Sequence, residues 1–269
     1  MRKKLFWALL TSLMLSFGGP AAFGASNAEF AGEPVPQIQP EVAESLDQEL
    51  LLLSEAKARI WLTIRRTARY LPLVETALSK AGVHRDFRSI PLALTGLSAK
   101  YQSQGRAGLW RFSANEARAL GLTVTSDLDE RFDPVASSAA AASKLKKLTA
   151  DYGSPVLAAA AFLDEGATLA AVTAAGGQKN FFRLYLPDTL EKSVYQVLAG
   201  KIIFDRPEAY GYSLTRTWPV LARKRQKQDQ ARSLKDLAAG LKVDYLTFRE
   251  MNPHLLTDTV PAGAYVYLP

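Results

Sequence analysis

From about Ala43 onward the apolar positions of this chain recur with a helical period: Trp61, Ile64, Ala68 and Leu71 fall at i, i+3, i+7 and i+10, on one face. Pro72 fits the first turn of a further helix, which would end near Gly82 in a left-handed cap. Ser113, with Glu116 three residues on, reads as a capping box that opens a helix running to about Leu120-Gly121. Asp133-Pro134 and Ser154-Pro155 each set a capping side chain before a proline at the first helical position, and an Ala-rich run follows each. From Ser54 to about Leu198 nearly everything reads as helix or short loop. No strand-like alternation of useful length appears before Tyr212, so the main unit is predicted to be all-α.

The two ends have different patterns. Leu5 to Phe17 is almost wholly apolar, follows Arg2-Lys3-Lys4 and runs into Gly18-Gly19-Pro20-Ala21-Ala22, the three regions of a secretory leader. Residues 1–25 are therefore expected to be a signal peptide, and the run is shorter than the ~20 residues that span a bilayer, so no transmembrane anchor should remain after cleavage. Residues 26–54 are expected to form an N-terminal arm or linker. Its stretch from Ser26 to about Val42 is rich in Pro, Glu, Gln and Gly without a sustained apolar period, which predicts no packed structure. In the tail, residues 213–269, Ser213 to Val220 is compatible with an extended segment. Leu234, Leu237, Ala238 and Leu241 make a short amphipathic helix, Tyr245 to Met251 a second, and Ala264 to Leu268 alternates like a strand. That order, strand, helix, helix, strand, is an α+β module following the all-α unit of residues 55–212.

At 269 residues and 48% apolar content the chain is long enough for one good-sized core and a small second one. It contains no cysteine, so disulfides, thiolate metal ligands and a lipidated cysteine are all excluded. The formal charge is +7, but residues 26–212 hold 21 basic and 21 acidic side chains, while residues 213–269 hold nine and five. The excess beyond the leader lies in the tail, where the run Arg223-Lys224-Arg225-Gln226-Lys227 is either an exposed loop or a contact for anionic wall polymer or lipid. Nucleic acid is not an expected partner of an exported protein. His84 and His254 lie far apart, neither with a second ligand type at metal spacing; both read as surface turn residues, and no metal or cofactor is expected.

Residues 87–134 carry a more specific pattern: Ile90-Pro91-Leu92, Ser103, Ala107-Gly108-Leu109-Trp110, Phe112, Ala117-Arg118, Gly121-Leu122 and Asp129-Glu130-Arg131-Phe132-Asp133-Pro134. Arg69-Tyr70-Leu71-Pro72 precedes it, and Leu184-Tyr185-Leu186-Pro187 and Ala209-Tyr210-Gly211 follow. This ordered series resembles the goose-lysozyme-like domain of type D lytic transglycosylases. The tail, from Leu234 through Asn252-Pro253 to Leu268-Pro269, resembles the degenerate LysM module that follows such domains. The resemblance implies a lysozyme-like fold, a periplasmic location, and peptidoglycan glycan strands as partner, with other cell-wall proteins as further expected partners. In that family one Glu protonates the bond between N-acetylmuramic acid and N-acetylglucosamine while the substrate's own hydroxyl closes a 1,6-anhydro ring, unlike the usual two-carboxylate arrangement.

The residue that matches that Glu is Leu94, and the hydroxyl residue after it is Thr95. Leucine has no exchangeable proton, and loss of a positioned general acid costs ~10² to 10⁴ in rate. The family's Gln after Gly-Leu-Trp is Arg111, its Met-Pro is Ser113-Ala114, and one residue is missing between Ser103 and Gly108. Its Ala-Tyr-Asn-Ala-Gly cleft segment has become Ala161-Phe162-Leu163-Asp164-Glu165. Leu71-Pro72-Leu73-Val74-Glu75 imitates the catalytic motif, but Gly108 lies 33 residues after Glu75, about twice the family's spacing, so Glu75 reads as an exposed helix position. Asp164 and Glu165 are the surrogate acids to test. Glu116 reads as a cap and Glu130 as an ion-pair partner of Arg131, and Trp110 as a core residue beside the cleft. Thr95, Trp110, Arg111, Phe162 and Leu163 are the expected substrate-contacting positions. Three functions remain open on the sequence: a non-catalytic peptidoglycan-binding protein that scaffolds wall enzymes, a glycan lyase with a relocated acid, and a protein-interaction module with a closed cleft.

Overall fold

Burial of Ile60, Ile64, Val74 and Leu78 on one face makes a single 25-residue helix of the segment after Ala56, which packs mainly against the long helix that begins after Asp133. The computed structural model describes residues 28–213, 217–220 and 224–269; the expected signal peptide lies outside them. In order come a small hairpin of β1 (Glu29–Phe30) and β2 (Glu33–Pro34), then α1 (Pro40–Glu55), α2 (Lys57–Ala81) and α3 (Ser89–Thr95). A three-stranded meander follows, β3 (Gln102–Ser103), β4 (Arg106–Ala107) and β5 (Phe112–Ser113), and then α4 (Ala114–Ala119). The helices α5 (Pro134–Tyr152), α6 (Pro155–Leu163), α7 (Glu165–Ala174) and α8 (Asp188–Asp205) complete the first core. The tail consists of β6 (Lys224–Lys227), β7 (Arg232–Ser233), α9 (Leu234–Gly240), α10 (Tyr245–Met251), β8 (Thr259–Val260) and β9 (Tyr265–Leu268), with β6 antiparallel to β9 and β7 to β8.

Three of the predicted helix starts, at Ser113, Asp133 and Ser154, are the observed ones. Ser113 and Glu116 form the reciprocal capping box of α4, the Asp133 carboxylate accepts from the Val135 and Ala136 amides, and the Ser154 hydroxyl accepts from the Leu157 amide. Gly82 is the left-handed cap expected at φ 70°. Four expectations need correction. Pro72 does not begin a helix; it lies inside α2, where packing of both halves against α5 and α3's neighbourhood offsets the one backbone hydrogen bond it removes. The meander is a second correction, since two-residue strands carry no alternation to read.

The third concerns the expected arm of residues 26–54, of which the described part, residues 28–54, is packed. Phe30 is fully buried edge-on against Phe87 at 5.1 Å, and Glu33 accepts hydrogen bonds from the Ser154 hydroxyl (2.7 Å) and the Val156 amide (3.0 Å), placing a carboxylate at the positive end of α6. Val42, Leu46, Leu50 and Leu53 bury one stripe of α1 along α8. Each anchor is a tertiary contact, invisible to local periodicity.

The fourth is the tail's attachment. Its first strand is β6, not Ser213 to Val220, of which residues 214–216 lie outside the described residues. Arg225 from the basic run is half-buried, its guanidinium 2.6 Å from Asp133 and 3.7 Å from the Tyr265 ring. Leu128 is buried in the tail's own core with Leu234, Phe248, Leu255 and Val266, so the two cores interlock. His254, expected at the surface, is buried with its Nε2 2.8 Å from the Tyr265 carbonyl and no partner on Nδ1.

A pH dependence follows. Burial lowers the His254 pKa below its usual 6.5, against opposing pulls from Asp133 and the Tyr265 carbonyl; Arg225 adds to the lowering and Glu130 opposes it. Because the unfolded chain binds this proton more readily than the folded one, the contribution is present above about pH 6.5 and is lost as pH falls through the depressed folded value. The melting temperature should fall between pH 7 and 5, and His254→Gln should flatten that part of the profile; an unchanged profile in the variant would show that His254 does not titrate on unfolding.

Candidate functional site

All seven residues of α3 are buried, and its carbonyl end is tied down by two arginines from α2. Arg59 donates to the Ala93 carbonyl and Arg66 to the Gly96 carbonyl at 2.9 Å. On the other side Gly200 of α8 comes so close that a Cβ there would lie 2.6 Å from the Ala93 Cβ. This clamp fixes Leu94 at 7% exposure within the first core. Thr95 is equally buried, its hydroxyl donating to the Pro91 carbonyl at 2.9 Å and lying 3.0 Å from the Leu109 carbonyl. Neither residue presents a polar group to a ligand, which corrects the expectation for Thr95.

The meander beside α3 is positioned by the Asp129 to Asp133 segment. Arg131 is paired with Asp129, and its guanidinium also donates to the Gly105 and Phe112 carbonyls at 3.2 and 3.3 Å. The ion pair expected between Glu130 and Arg131 is not formed; Glu130 accepts from the Thr123 amide at 2.7 Å instead. Arg111 follows Gly108-Leu109-Trp110 with φ 56°, its Nε buried without a hydrogen-bond partner and its guanidinium 5.7 Å from the Tyr101 ring.

A cleft of about 170 Å³ opens here, with Arg106, Arg111 and Glu116 on one side, Phe162, Leu163 and Asp164 on another, and Thr189 and Ser193 of α8 closing it. Its floor is aromatic. Trp110 is buried, donates to the Ser138 hydroxyl at 3.0 Å and meets Phe162 edge-on at 5.7 Å; Phe112 lies 5.7 Å from the same ring. Lys144 reaches in from α5, donating to the Phe162 carbonyl at 3.2 Å with its ammonium 5.0 Å from the Phe162 ring and 3.6 Å from Glu116. Of the five expected contact positions, Arg111, Phe162, Leu163 and Trp110 line this cleft and Thr95 does not.

Burial alone would raise the Glu116 pKa, but the Ser113 amide and hydroxyl, with Arg106 and Lys144, outweigh it and hold the carboxyl below its usual range. A carboxylate held ionised in this way has no proton to give a leaving group. Asp164 lines the cleft, but one of its oxygens caps α7 through the Ala167 amide at 3.0 Å. Glu165 is exposed in the first turn of α7, outside the cleft lining. Glu75 is half-exposed and ion-paired with Arg88. Among the described residues no cluster of three or more His, Asp or Glu side chains is placed to hold a metal. Lys144, Arg106 and Arg59 were not foreseen: each contacts the site across more than ten residues of chain or from another element, and nothing local marks them.

A second, larger recess lies on the tail. About 500 Å³ is bounded by the β6 to β7 loop, α9 and Leu268, and is lined by Gln226, Asp229, Gln230, Arg232 and Asp236 around Gly240.

Residues 66–174 match the family model described as Transglycosylase SLT domain. Membrane-bound lytic murein transglycosylase D of Escherichia coli (strain K12) is 30% identical to this chain over 152 residues, which cover 55% of this chain and 30% of that protein. The protein of the same name from Escherichia coli O6:H1 aligns with the same identity and extent. The chain therefore carries a lysozyme-like SLT domain similar to that of lytic transglycosylase D, and the match spans less than a third of the length of those relatives.

Proposed function

Taking a transglycosylase-like domain as the starting point, we propose that this chain is a periplasmic, non-catalytic relative of the lytic transglycosylases that binds peptidoglycan glycan and brings it to other wall proteins. Leu94 carries the reading. The side chain at the position that resembles the family's acid cannot be protonated, is buried, and is clamped by α2 and α8. In the cleft, whose lining does not include Leu94, the Glu116 carboxylate is held ionised by two cations and a capping box, and Asp164 is engaged as the cap of α7.

The cleft is smaller than the ~300 to 1,000 Å³ of ordinary ligand pockets, and although Arg106, Arg111, Glu116, Asp164, Thr189 and Ser193 line its sides, its Trp110, Phe112 and Phe162 floor offers sugar hydroxyls and amides no partner. The tail recess is about three times larger and sets amide, carboxylate and guanidinium groups beside Leu237, Leu241 and Leu268, a mixed lining suited to the polar edges and apolar faces of sugars. Glycan binding is therefore assigned to the LysM-like module, residues 213–269, with the SLT-like unit, residues 55–212, as its support. The aromatic floor favours a second reading, in which the small cleft and its rim receive a protein.

The glycan assignment is tested by co-sedimentation with purified sacculi. Gly240 has ordinary backbone geometry and open space where a Cβ would go, so Gly240→Phe fills the recess without disturbing the fold. We expect wild type to sediment with sacculi and the variant to bind about tenfold or more weakly, with an unchanged melting temperature. No sedimentation of the wild type sinks the glycan reading and leaves the protein-partner reading; equal binding by Gly240→Phe places the glycan elsewhere.

A further inference from the structure

We propose that the outer face of the corner between α1 and α2 docks on an anionic lipid bilayer. From Lys57 to Val74 the sequence holds Lys57, Arg59, Arg65, Arg66 and Arg69 and no acidic residue. At 3.6 residues per turn, Trp61, Leu62, Arg65 and Arg69 share an arc of about 100° on the side opposite the buried Ile60 and Ile64. Arg59 and Arg66 leave this face for the Ala93 and Gly96 carbonyls, so Arg65 and Arg69 are its cations.

The apolar part is exposed among the described residues. Trp61 is 38% and Leu62 42% exposed, and Leu51 and Leu52 in the last turns of α1 are 47% and 51% exposed. The two helices present one surface because Tyr212 bridges them: its hydroxyl donates to the Ser54 carbonyl at 2.8 Å and its ring meets Trp61 edge-on at 5.9 Å. Trp218 extends the face, with its ring 5.9 and 5.3 Å from the Arg65 and Arg69 guanidinium carbons and its amide donating to the Arg65 carbonyl at 2.7 Å. Arg69 fixes the same segment through the Pro219 carbonyl. Glu55, at the corner, is the acidic neighbour that works against an anionic partner.

This pairing of chemistries selects the occupant. A hydrated anionic polymer could meet the arginines but offers nothing to three exposed leucines. A bilayer interface takes both: leucines enter the acyl boundary, Trp61 and Trp218 sit at headgroup level, and the guanidiniums pair with phosphates. None of the described helices is long and apolar enough to cross a membrane, so the contact is peripheral.

The test is flotation of the exported protein, its N-terminal residue determined so that the apolar 1–25 segment is accounted for, with vesicles of phosphatidylcholine alone or mixed with phosphatidylglycerol. We expect binding only to the mixed vesicles, weakened by salt. Both Arg65→Glu/Arg69→Glu and Leu51→Ser/Leu52→Ser/Leu62→Ser should reduce it by about tenfold or more while leaving sedimentation with lipid-free sacculi unchanged. The leucine variant touches no hydrogen bond and keeps the test decisive if the charge reversals disturb the Trp218 segment. Absence of binding to the mixed vesicles, or binding untouched by the leucine variant, overturns the proposal. So does a dimer in sedimentation velocity that the leucine variant dissociates, which would make this face a contact between copies.

Discussion

Asp133→Ala should cost about 3 to 5 kcal/mol of stability, the range for breaking a buried charge pair from one side. Asp133 is fully buried, and its two oxygens serve four donors. Oδ1 accepts from the Val135 and Ala136 amides at the start of α5 and from the Tyr267 hydroxyl at 2.5 Å; Oδ2 accepts from Arg225 at 2.6 Å. Burial by itself would raise its pKa, but His254, Arg225, Tyr267 and the Ala136 amide together hold the carboxyl below its usual range, so it is ionised when folded. The same residue thus caps the helix whose Ser138 and Lys144 hold the cleft residues Trp110 and Phe162, and fastens the tail to the first core. Alanine removes the cap, worth ~1 kcal/mol, and leaves the Arg225 charge and the Tyr267 hydroxyl without their partner. Asp133→Asn keeps a capping oxygen but not the charge, and should fall between the two. Urea denaturation followed by tryptophan fluorescence reads both; a loss under about 1 kcal/mol in the alanine variant would mean that the tail is not held by this group.

Gly108→Ala should be comparably damaging for a steric reason. A Cβ at this position would lie 1.7 Å from the Arg131 carbonyl oxygen, and the residue has φ 75°. The obstacle is backbone, so no rotamer change relieves it. Overpacking costs ~1 to 3 kcal/mol and the left-handed conformation ~1 to 2 kcal/mol for a residue with a Cβ, which together give about 2 to 5 kcal/mol. The meander should separate from the Asp129 to Asp133 segment, exposing Trp110. A red-shifted tryptophan emission at low urea, ahead of global unfolding, is the expected signature; a variant with wild-type emission and stability would show that the meander shifts freely.

These two positions also illustrate what the sequence could reveal. Asp133-Pro134 is a local signal, a cap before a proline, and it placed the start of α5 correctly. Its other two roles, for Arg225 and Tyr267, join residues about 90 and 134 positions apart, and no local pattern encodes them. Gly108 stood out only through the resemblance of its neighbours; the reason for glycine is the Arg131 carbonyl. Two-residue strands have no period and so leave no signal in the sequence, and Pro72 reads as a break in α2 because the tertiary packing that overrides it is not local. The N-terminal segment was misjudged since Phe30 and Glu33 act as single anchors. At the site, Leu94, Arg111, Phe162 and Leu163 were legible as departures from a known pattern. The Arg106, Glu116 and Lys144 charge cluster was only partly so, through the capping box of Glu116.

The central claim, a glycan-binding protein without lyase chemistry, is tested most directly by incubating the exported protein with purified sacculi and analysing the soluble products by mass spectrometry. The account predicts no 1,6-anhydro-muropeptides above a protein-free control, with the protein recovered on the sacculi. Anhydro products that disappear in an Asp164→Ala/Glu165→Ala double variant would contradict it and assign the proton to the start of α7.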